Sequence, residues 1–160
     1  MADPLQRFER IARQAYRFTQ VEARDLEVRH PFELRDIHDS LPNIVRTLFD
    51  DGHYSQATFE AFKFIDKVIQ KLSRTSESGF KLMMQAFAGT PASVVLTGNT
   101  SASEQDEQKG FMFIFAGAML AIRNPRGHEV SLSDAPDVCL DHLSLASLLL
   151  RRLEEAGYTI

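Results

Sequence analysis

An all-α fold follows from three observations on the sequence. Apolar residues recur at helical spacing along most of the chain, the turn-forming Gly and Pro residues fall between those stretches, and the β-branched run Ser93–Thr97 (SVVLT) is short and isolated. The 160 residues fit one ordinary domain, and 44% hydrophobic with 25% charged residues is a globular composition, neither disordered nor fibrous. We expect five or six helices with at most a minor β-hairpin. Residues 1–30 form an N-terminal amphipathic helix and linker, and residues 31–160 a helical domain.

Phe8, Ile11, Ala15, Phe18 and Val21 space as one helical face from about Pro4 to Val21, and His30-Pro31 ends that pattern. A second helix is expected over about Arg35–Asp50, stopped at Asp51-Gly52. Pro42 inside it either kinks that helix or marks its true start. The clearest helix is Tyr54–Leu72, with Ser55 as a capping residue and an apolar stripe through Ala57, Ala61, Ile65, Val68 and Leu72. Phe59, Phe62 and Phe64 widen that stripe. Gly79–Ala88 begins another apolar helix, and Gly89–Glu107 reads as an irregular loop of a length that is often functional. Two long helices follow, about Glu104–Ile122 and Pro136–Ala156. The uncharged run Phe111–Ile122 (FMFIFAGAMLAI) would rise only about 18 Å as a helix, short of a bilayer's roughly 30 Å, so we expect it to be buried on all sides in a core and expect no membrane association.

A net charge of −4 argues against coating nucleic acid through bulk charge, though not against a local site. The single cysteine, Cys139, excludes an internal disulfide and a four-cysteine zinc site, and it reads as a small core residue. Met1-Ala2-Asp3-Pro4 opens no apolar signal segment, so the expected location is cytoplasmic. Asp50, Asp51 and His53 are of metal-ligating type, but Asp-Asp-Gly there reads as a helix end, and no metal or other cofactor is expected. His38 and His142 fall within helical pattern as ordinary surface or packed histidines.

Chemistry concentrates in Arg123-Asn124-Pro125-Arg126-Gly127-His128. Pro125 should end the preceding helix and Gly127 should allow a tight turn that returns His128 to Arg123. An imidazole exchanges protons near neutral pH, and a permanently charged guanidinium can hold a phosphate and stabilise developing charge. Asn124 can orient either group. Together they suit RNA cleavage by the ribose 2′-hydroxyl. Arg24…His30 and Arg46…His53 share this class of spacing, so spacing alone is not diagnostic. Lys63, Lys67 and Lys71, at i, i+4 and i+8, would form a basic stripe able to guide RNA. Arg126 is a further candidate RNA contact. Glu60 and Asp66 are candidates for a carboxylate beside the motif.

The run RNPRGH resembles the RNxxxH motif of HEPN-domain ribonucleases. LFDDGHYSQATFEAFKFID (Leu48–Asp66), LMMQAF (Leu82–Phe87), FMFIFAGAMLAI and HLSLASLLLRRLEEAG (His142–Gly157) resemble a bacterial HEPN family labelled Ymh, with similarity over about Leu41–Gly157. The resemblance implies a HEPN-like helical bundle that dimerises so that two motifs share a cleft. It also implies metal-independent endoribonuclease activity in toxin–antitoxin or phage-defence systems, with RNA as substrate and an antitoxin or defence-system protein as partner. Arg123 and His128 would be catalytic, with Asn124 in support. The alternative is a catalytically inactive HEPN-like module that binds RNA or serves protein interaction and dimerisation.

Overall fold

Each helix begins where the local chemistry lets it. Asn43–Asp50 (α2) starts directly after Pro42, which settles the open choice: Pro42 is the residue before the helix, not a kink within it. A single turn, Pro31–Leu34 (α1), precedes it. Asp51 ends α2, Gly52 takes the left-handed conformation at φ +79°, and His53 leads into Tyr54–Ser73 (α3). This Asp-Asp-Gly-His run therefore serves as the turn between two helices. Gly79–Ala88 (α4) follows. Ala102–Ala118 (α5) opens with a capping box in which Ser101 and Glu104 satisfy each other's backbone N–H groups. The last long helix is Pro136–Glu155 (α7), with proline in the first turn.

The computed structural model describes Leu5, Phe8, Glu9, Ile11, Ala12 and residues 29–129 and 132–160. The chain divides into two compact units, Met1–His30 and Pro31–Ile160. In the first, the described residues Leu5, Phe8, Glu9, Ile11 and Ala12 are helical; most of the expected Pro4–Val21 helix lies outside the described residues.

The second unit is all-α. Its core is built on α3 and α7, with Phe62, Ile65, Ile69, Leu82, Met83, Phe115, Met119, Leu143, Leu149 and Leu150 fully buried. Phe49 sits between Phe32 and Tyr54, with both ring centroids 5.2 Å away. Phe87 packs on Phe115 at 4.7 Å. These tilted and edge-on arrangements add to the burial term.

Ser93–Thr97 pairs with no strand among the described residues. The buried Gln108 on α5 takes a strand partner's place. Its Nε2 donates to the carbonyls of Phe87 and Val94 at 3.0 and 2.9 Å, and its Oε1 accepts the Leu96 N–H at 2.7 Å. The amide thus satisfies buried backbone groups that a ladder would otherwise have to satisfy.

The uncharged helix is not buried on all sides. Met112, Phe115, Ala116 and Met119 face the core, but Phe113, Ile114 and Leu120 are 52%, 41% and 50% exposed. Gly110 and Gly117 have open space over their Cα atoms. The second unit therefore carries an uncovered apolar face along α5. Most of α7's leucines, by contrast, are core, although Val138 and Leu148 are exposed. No helix among the described residues is long and apolar enough to cross a membrane.

Candidate functional site at the end of the uncharged helix

The chain does not turn at Pro125. After α5 the helix widens over Met119–Arg123 into a π-turn, in which the Asn124 N–H reaches back five residues to the Met119 carbonyl. It then continues as a short α-helix, Asn124–His128 (α6), with Pro125 in its first turn. In a regular helix the Pro125 ring would press on the carbonyl four residues back. The wider turn ahead of it makes room, which is a recognised use of π-bulges. The expected tight turn at Gly127 is therefore replaced by a helix, and His128 is not folded back onto Arg123.

Gly127 has another job. A Cβ there would lie 2.8 Å from Cε2 of Phe59 on α3, so the bare backbone lets α6 close onto that ring. Arg123, four residues earlier and on the same helical face, lies with its Cζ 5.5 Å from the Phe59 centroid. Its Nη1 donates to Asn124 Oδ1 at 3.1 Å, and its Nε is buried without a partner among the described residues. Asn124 thus holds one nitrogen of the Arg123 guanidinium. His128 is exposed, and among the described residues its ring has no hydrogen-bond partner. One residue beyond Gly127, it stands about 100° round the helix from Gly127 and further still from Arg123.

Lys63, on α3, places its Nζ 5.8 Å from the same Phe59 centroid and donates to both oxygens of Glu60, at 2.9 and 3.1 Å. Of the two candidate carboxylates, Glu60 is therefore the one beside the site. Asp66 is buried, and its Oδ1 accepts the Gly79 N–H at 2.7 Å, so it holds the start of α4. Lys63, Lys67 and Lys71 are all exposed, which gives the stripe on one face of α3; Lys67 also donates to Gln70 Oε1 at 3.0 Å.

Arg126, the further candidate RNA contact, is engaged within the protein. Its side chain is 8% exposed, and its Nε and Nη2 each lie 2.6 Å from a carboxylate oxygen of Asp134, whose side chain is 7% exposed. Its Nη1 donates to the Ile122 carbonyl at 2.8 Å. All three of its guanidinium nitrogens thus donate inside the protein, because a buried guanidinium needs a matched carboxylate. The Asp134 N–H donates to Ser55 Oγ at 2.9 Å, so Ser55 is not the cap of α3 but a buried acceptor within it. Burial pushes the Asp134 carboxyl up, but the Arg126 hydrogen bonds and charge, with Ser55, outweigh it and leave it below the ordinary value.

His142 lies near this pair with its Nδ1 buried and unpartnered among the described residues. Burial first, then the Arg126 charge, hold it below the ordinary value against the opposite pull of Asp134 and Asp141. Burial pushes the Cys139 thiol up, although Thr58 Oγ1 donates to its Sγ at 3.4 Å, which fits an inert core residue. His38 is not helical: its Nε2 meets Glu154 Oε2 at 3.0 Å and its Nδ1 accepts the Ser40 N–H, so it is a packed histidine.

Sequence reading missed Phe59, Gly127 as a packing residue, and Asp134. The available signal for Asp134 was an acid just before a helix-starting Ala-Pro.

A family model described as "Protein of unknown function (Hypoth_ymh)" matches residues 35–153. The chain belongs to the Hypoth_Ymh family. The Hypoth_Ymh match takes in Ser55, Phe59, α6 and Asp134 and lies wholly within the second unit. Comparison with curated proteins gives no match, and comparison with solved structures gives none.

Proposed function

We propose that this Hypoth_Ymh protein is a HEPN-type, metal-independent endoribonuclease that works as a homodimer. The reading rests on the RNxxxH resemblance. The observation that carries it is the state of Arg123 and His128: one guanidinium held by Asn124 and Phe59 with donors to spare, and one accessible, unpaired imidazole one and a half turns along the same helix. His128 takes the proton of the 2′-hydroxyl as that oxygen attacks phosphorus, and the imidazolium so formed returns it to the departing 5′-oxygen. The bond to the 5′-oxygen breaks, and the products carry a 2′,3′-cyclic phosphate and a 5′-hydroxyl. Arg123 neutralises the charge gathering on the phosphorane.

The separation of His128 from the Arg123 face favours a shared site in which a second copy supplies the facing groups. The uncovered residues Phe113, Ile114 and Leu120, on the helix that leads into the motif, are the surface for that pairing. Lys63 and Lys67 remain RNA contacts in this reading. A toxin or phage-defence role, with a controlling protein partner, belongs to the same resemblance.

The test is cleavage of mixed RNA in chelator with analysis of product ends. Arg123→Ala and His128→Ala should each lower the rate by about 10²-fold or more. Cleavage undiminished in both variants would remove the assignment.

A further inference from the structure

We propose that Arg126 and Asp134 form a positioning clamp for the active motif: they touch no RNA, and they set where Arg123 and His128 stand. The inference rests on the proposed ribonuclease reading and adds to it residues that the motif does not account for.

α6 continues the preceding helix, but only across a widened turn and with Pro125 contributing no N–H, and it ends after five residues. Few hydrogen bonds of its own hold it there. Something else must hold it. The Arg126 fork does so from the middle of the motif, three residues after Arg123 and two before His128. It reaches Asp134 with two 2.6 Å contacts and the Ile122 carbonyl with a third at 2.8 Å. Asp134 is fixed in turn by Ser55 of α3 at 2.9 Å. One buried side chain therefore ties the end of the uncharged helix, α6, the approach to α7 and α3 together. Ser55 and Phe59 lie one turn apart on α3, so the clamp and the ring under Arg123 share a single rigid support. If the clamp opens, Gly127 lifts from Phe59, and the guanidinium and imidazole move with it.

The discriminating variant is Arg126→Met with Asp134→Leu. Exchanging a whole buried ion pair for apolar residues of similar volume commonly leaves stability intact, so this double variant removes the clamp without leaving a buried unpaired charge. On RNA we expect KM close to that of the wild type and kcat lower by about 10²-fold, the scale of a 1 Å misplacement. We also expect faster hydrogen exchange at the Gly127, His128 and Glu129 amides. Should the double variant not fold, Arg126→Lys carries the same test, because it keeps the charge and loses the fork; an intermediate fall in kcat at unchanged KM is expected.

Wild-type kcat together with wild-type amide protection would overturn the clamp. A change confined to KM would also overturn it, by making Arg126 an RNA contact. The two readings fail separately. Indifference of cleavage to Arg123→Ala and His128→Ala removes the ribonuclease assignment, while amide protection of α6 in the double variant still decides the clamp.

Discussion

Arg123 and Arg126 stand less than a turn apart, yet Arg123 keeps a nitrogen without a partner among the described residues, while all three guanidinium nitrogens of Arg126 are engaged inside the protein. Arg123 is half-buried, rests on an aromatic ring and hydrogen-bonds one neighbouring amide. The Arg126 side chain is buried, and its three nitrogens all donate, to a carboxylate and a carbonyl. The two histidines differ in burial instead: His128 is exposed, whereas the Nδ1 of His142 is buried. Residue type does not assign the role here; the partner does. A cation with a matched buried acid is structure, and a cation left with open donors at the surface is available for chemistry.

The largest expected effect breaks the buried side. Arg126→Ala strands Asp134 without a counter-charge in a site only 7% exposed, which should cost about 3–5 kcal/mol in urea unfolding. Arg123→Ala loses a cation–π contact and one hydrogen bond at a partly wet site and should cost about 1 kcal/mol. Equal losses would erase the distinction between the two arginines.

Glycine sharpens the comparison at the next scale. Gly127→Ala drives a methyl into Phe59, and we expect a net loss of about 1 kcal/mol even after the gain in helix propensity. Gly117→Ala, on the uncovered face of α5 with open space above it, should gain about 0.5–1 kcal/mol when measured at concentrations where the chain is monomeric. Opposite signs, read by chemical denaturation, would confirm that α6 is pressed onto α3 whereas this face of α5 is open within the second unit among the described residues.

Much of this architecture is legible in the residues, and its limits are instructive. Tyr54–Ser73 and Gly79–Ala88 fall within a residue of where apolar periodicity and glycine punctuation put them, because local signals set helix ends. The motif's address at the end of an uncharged helix was also readable. Its shape was not: Pro125 normally stops a helix, and the π-turn that accommodates it is a tertiary compromise with no local signature. Nor could spacing tell Arg126 from Arg123, since burial depends on Asp134, eight residues on, and on Ser55, on a helix far back in the chain. Ser55 reads as a cap for the same reason; what its hydroxyl accepts comes from outside its helix. The uncharged helix reads as core throughout because hydropathy counts apolar residues but not the neighbours present to cover them.

The smallest expected effect is a pH dependence on the sealed side. His142 has its folded value lowered, first by burial and then by Arg126, so the unfolded chain binds its proton more readily than the native one. Stability is therefore complete above the unfolded value of about 6.5 and declines as pH falls from there towards the lower folded value. Asp134 is lowered as well, but a carboxylate lowered by its partner holds its contribution down to its unfolded value of about 3.8 and loses it only below that. Two separate acid steps should thus appear in unfolding free energy against pH. His142→Gln should flatten the upper one and leave the lower. An upper step that survives His142→Gln would mean that the buried imidazole is not its source, and the division between the two sides of the motif would have to be redrawn.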